Sequence, residues 1–235
     1  MKMDKSLHHK TASSSVVALV PMRHDSERLP KKNYRDFAGK PLYAHILETL
    51  SECEQITRIV VDTDSEIIAQ GIAASYPSVL VLERPEKLRS GSIPMNAVLL
   101  HDVGQVEADY YLQTHSTNPL LSSQTIEEAL AAFMENYPAY DSLFTVTELH
   151  ARLWDKEGKP LNHNPNELLR TQDLPPVFEE NSCLYIFERE SFLRRENRIG
   201  QHPLLYPIDR FEAFDIDEPY DFVIAEGMKT YSHAR

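Results

Sequence analysis

Short apolar runs alternate along this chain with stretches in which apolar residues recur at helical spacing. The first run, residues 16–20, is continuous and rich in β-branched side chains, which is typical of a strand buried on both faces. Later runs of the same kind are interpreted as strands at residues 58–61, 79–82, 109–113, 142–147 and 182–187.

The stretches between these runs are interpreted as helices. Pro41 suits the first position of a helix over residues 41–50, where leucines and isoleucine share one face. The other helices are predicted at residues 65–74 and 94–103, from Ser122 or Ser123 to Asn136, and from Pro219 to about Met228. Strands that alternate with helices predict an α/β fold with a mostly parallel sheet flanked by helices.

The alternation breaks after residue 147. Residues 148–210, rich in proline, asparagine and charge, are interpreted as an arm inserted into one domain that spans residues 16–235. The pattern resumes with a predicted strand at residues 211–217. Residues 1–15 are polar and are predicted to be a disordered tail, and no apolar run approaches the ~20 residues of a membrane helix. A cytoplasmic protein without membrane partners is therefore expected.

The charge distribution narrows the class of ligand. The net charge is −12, which disfavours nucleic acid and anionic membranes as partners. Residues 23–40 nevertheless carry six cationic and three acidic side chains, a local net charge of +3. A basic loop in an acidic chain indicates a small polyanionic ligand. Two cysteines, and histidines without a His-Glu-x-x-His pattern, do not indicate a zinc site.

The basic loop directly follows the first predicted strand, at residues 21–33. Ligands of open α/β sheets bind beyond the carboxyl ends of the strands. Arginine grips phosphate oxygens bidentately and lysine supplies a mobile point charge. Because the loop lacks a Walker pattern and a Gly-x-Gly-x-x-Gly pattern, side chains such as Arg23 and Lys32 are expected to hold phosphates. The alternative is a solvated charged loop.

Two carboxylates near the end of the chain are candidate metal ligands. Asp215 and Asp217 alternate along a predicted strand, so both can face one Mg²⁺ that also binds phosphate oxygens. Asp217 could instead cap the helix that begins at Pro219. Asp62 and Asp64 also follow a predicted strand, but there a structural role is favoured, with Asp64 capping the next helix.

The fourth predicted strand is followed by residues that suit a polar substrate. Residues 113–118 carry amide, hydroxyl and imidazole groups that hydrogen-bond sugars, among them Gln113 and Thr114. A generic turn is the alternative, since serine, asparagine and proline are common turn formers.

Five motifs occur in order within residues 16–226. The first joins Arg23-x-x-Ser26-x-Arg-Leu-Pro-x-Lys32-Asn33 to a Gly-Lys-Pro-Leu segment at residues 39–42. The others lie at residues 83–86, 112–120, 170–175 and 215–221. Together these motifs resemble those of the CMP-sialic acid synthetases, the acylneuraminate cytidylyltransferases.

This resemblance implies a Rossmann-like nucleotidyltransferase fold with an inserted dimerisation arm at residues 148–210, and hence a homodimer. It implies transfer of CMP from CTP to the anomeric hydroxyl of a nine-carbon, sialic-acid-like (nonulosonic) sugar acid, with release of pyrophosphate and Mg²⁺ as cofactor. The residue roles that it implies are nucleotide binding by Arg23, Ser26, Lys32, Asn33 and Arg84; sugar binding by Gln113, Thr114 and Arg170, the last in the partner subunit's site; metal binding by Asp215 and Asp217; and catalysis by Arg23, Lys32, Asp215 and Asp217.

Some positions depart from the family pattern. The first loop usually has two glycines where this chain has His24 and Asp25, and lysine where it has Glu27. Asn33 stands where CMP-Kdo synthetases carry proline, which favours the sialic-acid branch. Two alternatives stay open: a nucleotidyltransferase for another sugar such as Kdo, and a catalytically degenerate protein that binds sugar nucleotides.

Overall fold

The computed structural model describes residues 14–233, and its regular elements follow the alternation expected from the sequence. The strands are β1 (Val16–Leu19), β2 (Asp36–Phe37), β3 (Lys40–Pro41), β4 (Arg58–Thr63), β5 (Leu80–Glu83), β6 (Tyr110–Thr114), β7 (Ser142–Leu149), β8 (Val177–Glu188) and β9 (Pro203–Pro207). The α-helices are α1 (Leu42–Ser51), α2 (Glu66–Ser75), α3 (Met95–Gln105), α4 (Ser123–Asn136), α5 (Arg189–Arg195) and α6 (Pro219–His233).

The main sheet has seven strands in the order β5-β4-β1-β6-β8-β7-β9. β1 pairs in parallel with β4 on one side and with β6 on the other. β8 runs antiparallel between β6 and β7, whereas β7 and β9 are parallel. The expected mostly parallel α/β sheet is confirmed. The direction of chain progression reverses at β1, so the carboxyl ends of β1 and β6 form the switch point where such sheets bind ligands.

Alternate residues of β1 enter two different cores, which explains its continuous apolar run. Val16 and Ala18 pack with side chains of α1, α2 and α4. Val17 and Leu19 pack with side chains of α3 and with Phe192 of α5. Helices therefore cover both faces of the sheet and hold β1, together with the loop that follows it, in a fixed position.

The predicted strand at residues 211–217 is wrong, because these residues form turns and irregular coil. The last strand is β9 instead, which pairs with β7 at the edge of the sheet. Its sequence begins and ends with proline, a residue that sheets accept mainly at edges, where a missing N–H costs least. Ile216 is nevertheless fully buried, and its N–H donates to the carbonyl of Thr117 at 3.0 Å.

Part of the segment predicted as an arm lies in the main sheet. β8, α5 and β9 occupy residues 177–207, whereas residues 150–176 between β7 and β8 are largely irregular and exposed. Of the predicted tail at residues 1–15, residues 1–13 lie outside the described residues. Ser15 is already fixed, because its N–H and hydroxyl both donate to the carboxylate of Asp109. Within residues 14–233, no helix has both the length and the apolar character needed to span a bilayer.

Candidate active site

A cleft of about 480 Å³ opens at the switch point of the sheet. Its walls are the loop after β1, the loop after β6, the segment between β5 and α3, and the segment before α6. Of the residues that the sequence singled out, those lining the cleft are Arg23, Ser26, Lys32, Asn33, Arg84, Asp215 and Asp217. Side chains more than 190 residues apart in the chain thus meet at the predicted edge of the sheet.

A second hollow of about 570 Å³ lies between α1, α6 and the loop before α4. Its two lysines are already engaged, Lys40 by Glu48 and Lys229 by the carbonyl of Pro119. Although this hollow is slightly larger, none of the residues at positions 21–33 or 215–217 lines it. We therefore assign the chemistry to the smaller cleft.

Lys32 sits at the base of the cleft, between the first loop and the carboxylate pair. The side chain is buried, and the ammonium group donates to the carbonyl of Ile216 at 2.6 Å and lies 3.7 Å from Oδ1 of Asp217. Burial lowers the pKa of Lys32 from its ordinary value, and the charges of Asp215 and Asp217 partly oppose this shift. Lys32 therefore connects the loop after β1 to the two carboxylates.

Asn33 and Ser26 shape the first loop from within. The amide nitrogen of Asn33 donates to the carbonyl of Arg23 at 2.7 Å, and its amide oxygen accepts from the hydroxyl of Ser116 at 2.8 Å. Asn33 thus ties the loop after β1 to the loop after β6. The hydroxyl of Ser26 accepts weakly from the N–H of Leu29 at 3.4 Å and lines the cleft.

His24, one of the departures from the family pattern, is anchored rather than loose. Its backbone N–H donates to Asp64 at 2.7 Å, and its ring hydrogen-bonds with the hydroxyl of Ser65 at 2.8 Å. Its other ring nitrogen lies 3.3 Å from the hydroxyl of Tyr34. Histidine thus makes fixed contacts at a position where glycine would leave the backbone conformationally free. Asp25, the next residue, is exposed and lines the cleft.

Asp215 and Asp217 both reach the cleft, on either side of buried Ile216. Burial raises the pKa of Asp215, the charge of Asp217 adds to this effect, and a hydrogen bond from Thr117 and the charge of Lys32 oppose it. Both oxygens of Asp217 accept from Arg28, at 2.6 and 2.9 Å. The alternative in which Asp217 caps the last helix is not realised.

Asp221 performs that capping role. Its carboxylate accepts from the backbone N–H groups of Asp217 and Glu218 at 3.1 and 2.7 Å, at the start of α6. A carboxylate in the first turn that accepts from the N–H of the residue before the helix makes one of the two contacts of a capping box. The carboxylate of Asp217 is therefore directed toward Arg28 and Lys32.

The pair of carboxylates fits a hard divalent cation. Carboxylate oxygens at a phosphate site are the ligands that Mg²⁺ prefers, with the remaining positions filled by phosphate oxygens and water. A cation beside Asp215 would also offset the burial that raises the pKa of this carboxyl. Of the two side chains Asp215 is the more available, because Arg28 holds both oxygens of Asp217.

Gln113 and Thr114, expected to contact the sugar, are fully buried in the wall behind the cleft. The amide of Gln113 donates to the carbonyl of Thr114 at 3.0 Å and faces the ring of His115, also at 3.0 Å. The hydroxyl of Thr114 donates to the carbonyl of Cys183 at 2.8 Å. The cleft surface here is formed by the next residues along the chain, including His115, whose pKa burial lowers to about 4.

Arg198 is a residue that the sequence did not indicate. Its guanidinium lies over the ring of Tyr185, 3.5 Å from the ring centroid, and donates to the amide oxygen of Gln113. Burial lowers the pKa of Arg198 from its ordinary value. In the part of the chain that the structure describes, no carboxylate forms an ion pair with it. A cation that is stacked, partly buried and unpaired is suited to an anionic group of a ligand.

Arg84 and Asp62 form a buried ion pair at the edge of the cleft. Nε of Arg84 donates to Oδ1 of Asp62, and both residues are almost fully buried. Asp62 therefore has a structural contact, as the sequence favoured. The prediction that Asp64 caps α2 is wrong by one residue: Ser65 is the cap and accepts from the N–H of Ile68. Asp64 instead accepts from His24.

Arg170 lies outside the cleft of its own chain. It is on the exposed segment between β7 and β8. Its guanidinium forms a bidentate ion pair with the carboxylate of Asp173, with N–O distances of 2.7 and 2.9 Å. Its expected role in a partner subunit's site therefore stays a prediction.

A family model described as "Cytidylyltransferase" matches residues 17–231 of the chain. Among curated proteins, a pseudaminic acid cytidylyltransferase of Campylobacter jejuni is 24% identical over 92% of this chain and 97% of its own length. An N-acylneuraminate cytidylyltransferase of Streptococcus agalactiae is 27% identical over 93% of this chain. This chain spans 54% of the length of that streptococcal relative.

Solved structures agree on the fold. A CMP:2-keto-3-deoxy-manno-octonic acid synthetase, solved in complex with CTP, superposes with a TM-score of 0.70 at 18% identity, over 93% of this chain and all of the other. A 4-diphosphocytidyl-2C-methyl-D-erythritol synthase of Anaerococcus prevotii gives 0.69 at 10% identity, over 93% of this chain and 97% of its own. At these identities the likeness concerns the fold alone.

Proposed function

Because the chain belongs to the cytidylyltransferase family, we propose that it transfers CMP from CTP to the anomeric hydroxyl of a nonulosonic acid and releases pyrophosphate. The observation that carries the proposal is the convergence of Arg23 and Lys32 with Asp215 and Asp217 in one cleft at the switch point of the sheet. Relatives named for pseudaminic acid and N-acylneuraminate, which are both nine-carbon sugar acids, support the acceptor class.

The cationic side chains of the first loop are proposed to bind the triphosphate. Arg23 lines the cleft, and its backbone is positioned by Asn33, so its guanidinium can reach phosphate oxygens. Lys32 lies deeper, close to the carboxylates. Charge that develops on the pyrophosphate leaving group would be stabilised by both side chains, which need little rearrangement as the reaction proceeds. Arg84, held by Asp62, is proposed to border the cytidine.

Asp215 and Asp217 are proposed to bind Mg²⁺, and one of them is proposed to accept the proton of the sugar hydroxyl. When bound, Mg²⁺ would supply Lewis-acid stabilisation of phosphate charge. Asp215 is the proposed acceptor of the hydroxyl proton, because Arg28 occupies both oxygens of Asp217. A positioned carboxylate within reach of a hydroxyl is one of the usual general bases of enzymes.

The direct test of this function is pyrophosphate release with Mg²⁺, each of four nucleoside triphosphates, and a panel of pseudaminic, sialic, legionaminic and Kdo-type acids. Release with CTP and a nine-carbon acid is the expected result. Release with Kdo alone would support the octonic-acid alternative. CTP binding without release in any combination would support the degenerate binding protein, and it would contradict the proposed function.

Arg198 is proposed to bind the carboxylate of the acceptor. Its guanidinium contacts Gln113, which lies in the wall behind the cleft, and among residues 14–233 no carboxylate forms an ion pair with it. A hydrogen bond between charged groups contributes roughly 1.5–3 kcal/mol, so Arg198→Met should raise the KM for the acid at least ~10-fold. The KM for CTP should change little, which steady-state kinetics with each substrate varied in turn would show.

Arg194→Met is the matched control for this prediction, since Arg194 is an exposed arginine on the neighbouring helix α5. It should leave both KM values near those of the unmodified enzyme. An unchanged KM for the acid in Arg198→Met would remove Arg198 from the acceptor site.

The segment between β7 and β8 is proposed to form a homodimer contact. It exposes apolar side chains that nothing in the described part of the chain covers, with Leu168 91% and Leu161 62% exposed. Clustered exposed apolar residues mark interaction surfaces. Light scattering at micromolar concentration should show a dimer, and Leu168→Asp should shift it toward monomer. Val223→Asp, at an exposed apolar site on α6, is the control, and a monomeric unmodified protein would contradict the proposal.

A further inference from the structure

A second group of ligand-type side chains lies behind Arg84, away from the two carboxylates of the cleft. Asp62 stands near the end of β4, and His101 and Asp102 lie on α3. Nδ1 of His101 is 3.2 Å from Oδ1 of Asp102 and 3.9 Å from Oδ2 of Asp62. One ligand atom from each of the three residues lies within 4.8 Å of the others. The three side chains therefore converge on a common point.

Each of the two carboxylates in this group has a buried oxygen that accepts no hydrogen bond. Asp62 and Asp102 are each 1% exposed, and Oδ2 of each has no hydrogen-bond partner. Buried polar atoms are almost always paired, and a buried charge needs a compensating one. Arg84 compensates Asp62, and the charge of Asp102 has two available forms of compensation, a proton or a bound cation. Burial raises the pKa of Asp102, and the charge of Asp62 and a hydrogen bond with it add to this effect.

We propose that Asp62, His101 and Asp102 form a binding site for one divalent transition-metal ion such as Zn²⁺. Imidazole together with carboxylate oxygens suits zinc and its neighbours, whereas Mg²⁺ prefers oxygen alone. Ligands at zinc distances of about 2.1 Å in tetrahedral arrangement stand roughly 3.4 Å apart, which matches the spacing around His101. His101 is partly exposed, so an ion has a path into the site.

Arg84 gives this site a connection to the cleft. Oδ1 of Asp62 accepts from Arg84, and Oδ2 is the oxygen that faces His101. Partners that hydrogen-bond a ligating carboxylate fix its orientation. An ion bound at Oδ2 would in turn hold Asp62, and through it the guanidinium of Arg84 at the cleft wall. The site is thus assigned a structural role, separate from the proposed magnesium ligands.

The test is calorimetric titration of Zn²⁺ into the full chain after treatment with a chelator. One tight equivalent is expected, which excess Mg²⁺ does not displace. Asp102→Asn and His101→Gln should each weaken this binding by at least ~10²-fold, because each removes a ligand. Asp102→Asn keeps the shape of the side chain and removes a buried charge, so the variant is expected to fold, as its thermal unfolding would show.

His150→Gln is the matched control. His150 lies beside Glu148 on the surface, so this variant tests whether an exposed pair of histidine and carboxylate accounts for the Zn²⁺ binding. The tight equivalent should persist in this variant. The proposal would be overturned if the unmodified chain bound no Zn²⁺ tightly, or if Asp102→Asn bound Zn²⁺ equally well. In either case the compensating charge would be a proton shared by Asp62 and Asp102. Neither outcome depends on cytidylyl transfer.

Discussion

Replacing Asp215 by asparagine is expected to lower the rate of pyrophosphate release by at least about 10³-fold. The change removes a proposed magnesium ligand and the proposed proton acceptor while keeping the shape of the side chain. Metal ions contribute several kcal/mol of transition-state stabilisation, and each 1.36 kcal/mol is a factor of ten in rate. The measurement is kcat with saturating CTP and acceptor over a range of Mg²⁺ concentrations.

This variant should fold at least as well as the unmodified protein in the absence of metal. The folded-state pKa of Asp215 is raised, so its ionised form destabilises the folded protein at pH values above the unfolded pKa. Asparagine carries no such charge, and its thermal midpoint at pH 7 should not fall. Asp36→Asn, an exposed aspartate in β2, is the control and should keep its turnover. Turnover close to normal in Asp215→Asn would remove Asp215 from the chemistry.

The carboxylate pair shows how a local pattern can predict a site although the predicted element is wrong. Residues 215–217 were expected in a strand, and they lie in irregular coil. Ile216 is still buried, and its two neighbours both line the cleft. The alternation of polar and apolar residues thus predicted that Asp215 and Asp217 face the same site, although no strand forms there.

Other parts of the site depend on contacts that no local pattern contains. Arg198 meets Gln113 across 85 residues of chain, in a stretch that the sequence assigned to an arm. Its neighbours in sequence are polar and without period, so nothing marked it as different from Arg194 or Arg195. The convergence of His101 with Asp62 depends likewise on how α3 lies against β4. Such pairings follow from the topology of the sheet.

The first loop falls between these two cases. The order of strand and loop predicted that this cationic loop follows β1 and borders a ligand site. The loop does line the cleft. The role of His24 was not predictable, because the departure from glycine indicated only a bulkier loop. The ring is held by Ser65 and Tyr34, which come from two other segments. The sequence suggested that histidine in place of glycine disturbs the loop. In the fold, the histidine ring instead adds contacts that hold the loop in place.

Lys32→Met is expected to reduce turnover at least about 10²-fold, the range found when one preorganised donor is lost. Methionine has a similar length and can occupy the buried space, so the change removes mainly the charge. The ammonium group contacts the carbonyl of Ile216 and stands beside Asp217. Without it the triphosphate loses a counter-charge, and Asp215 and Asp217 lose a cation that opposes their mutual repulsion.

Lys31→Met provides the matched control, since the same substitution is made one residue earlier on an exposed side chain. Lys31 has a left-handed backbone, with φ of 64°, which methionine would share with lysine at the same cost. Turnover should therefore stay near normal in Lys31→Met. If both variants lose activity equally, the general positive charge of the loop governs the rate, and the buried position of Lys32 has no special role. If only Lys32→Met loses activity, transfer depends on the link that Lys32 forms between the loop after β1 and the carboxylate pair.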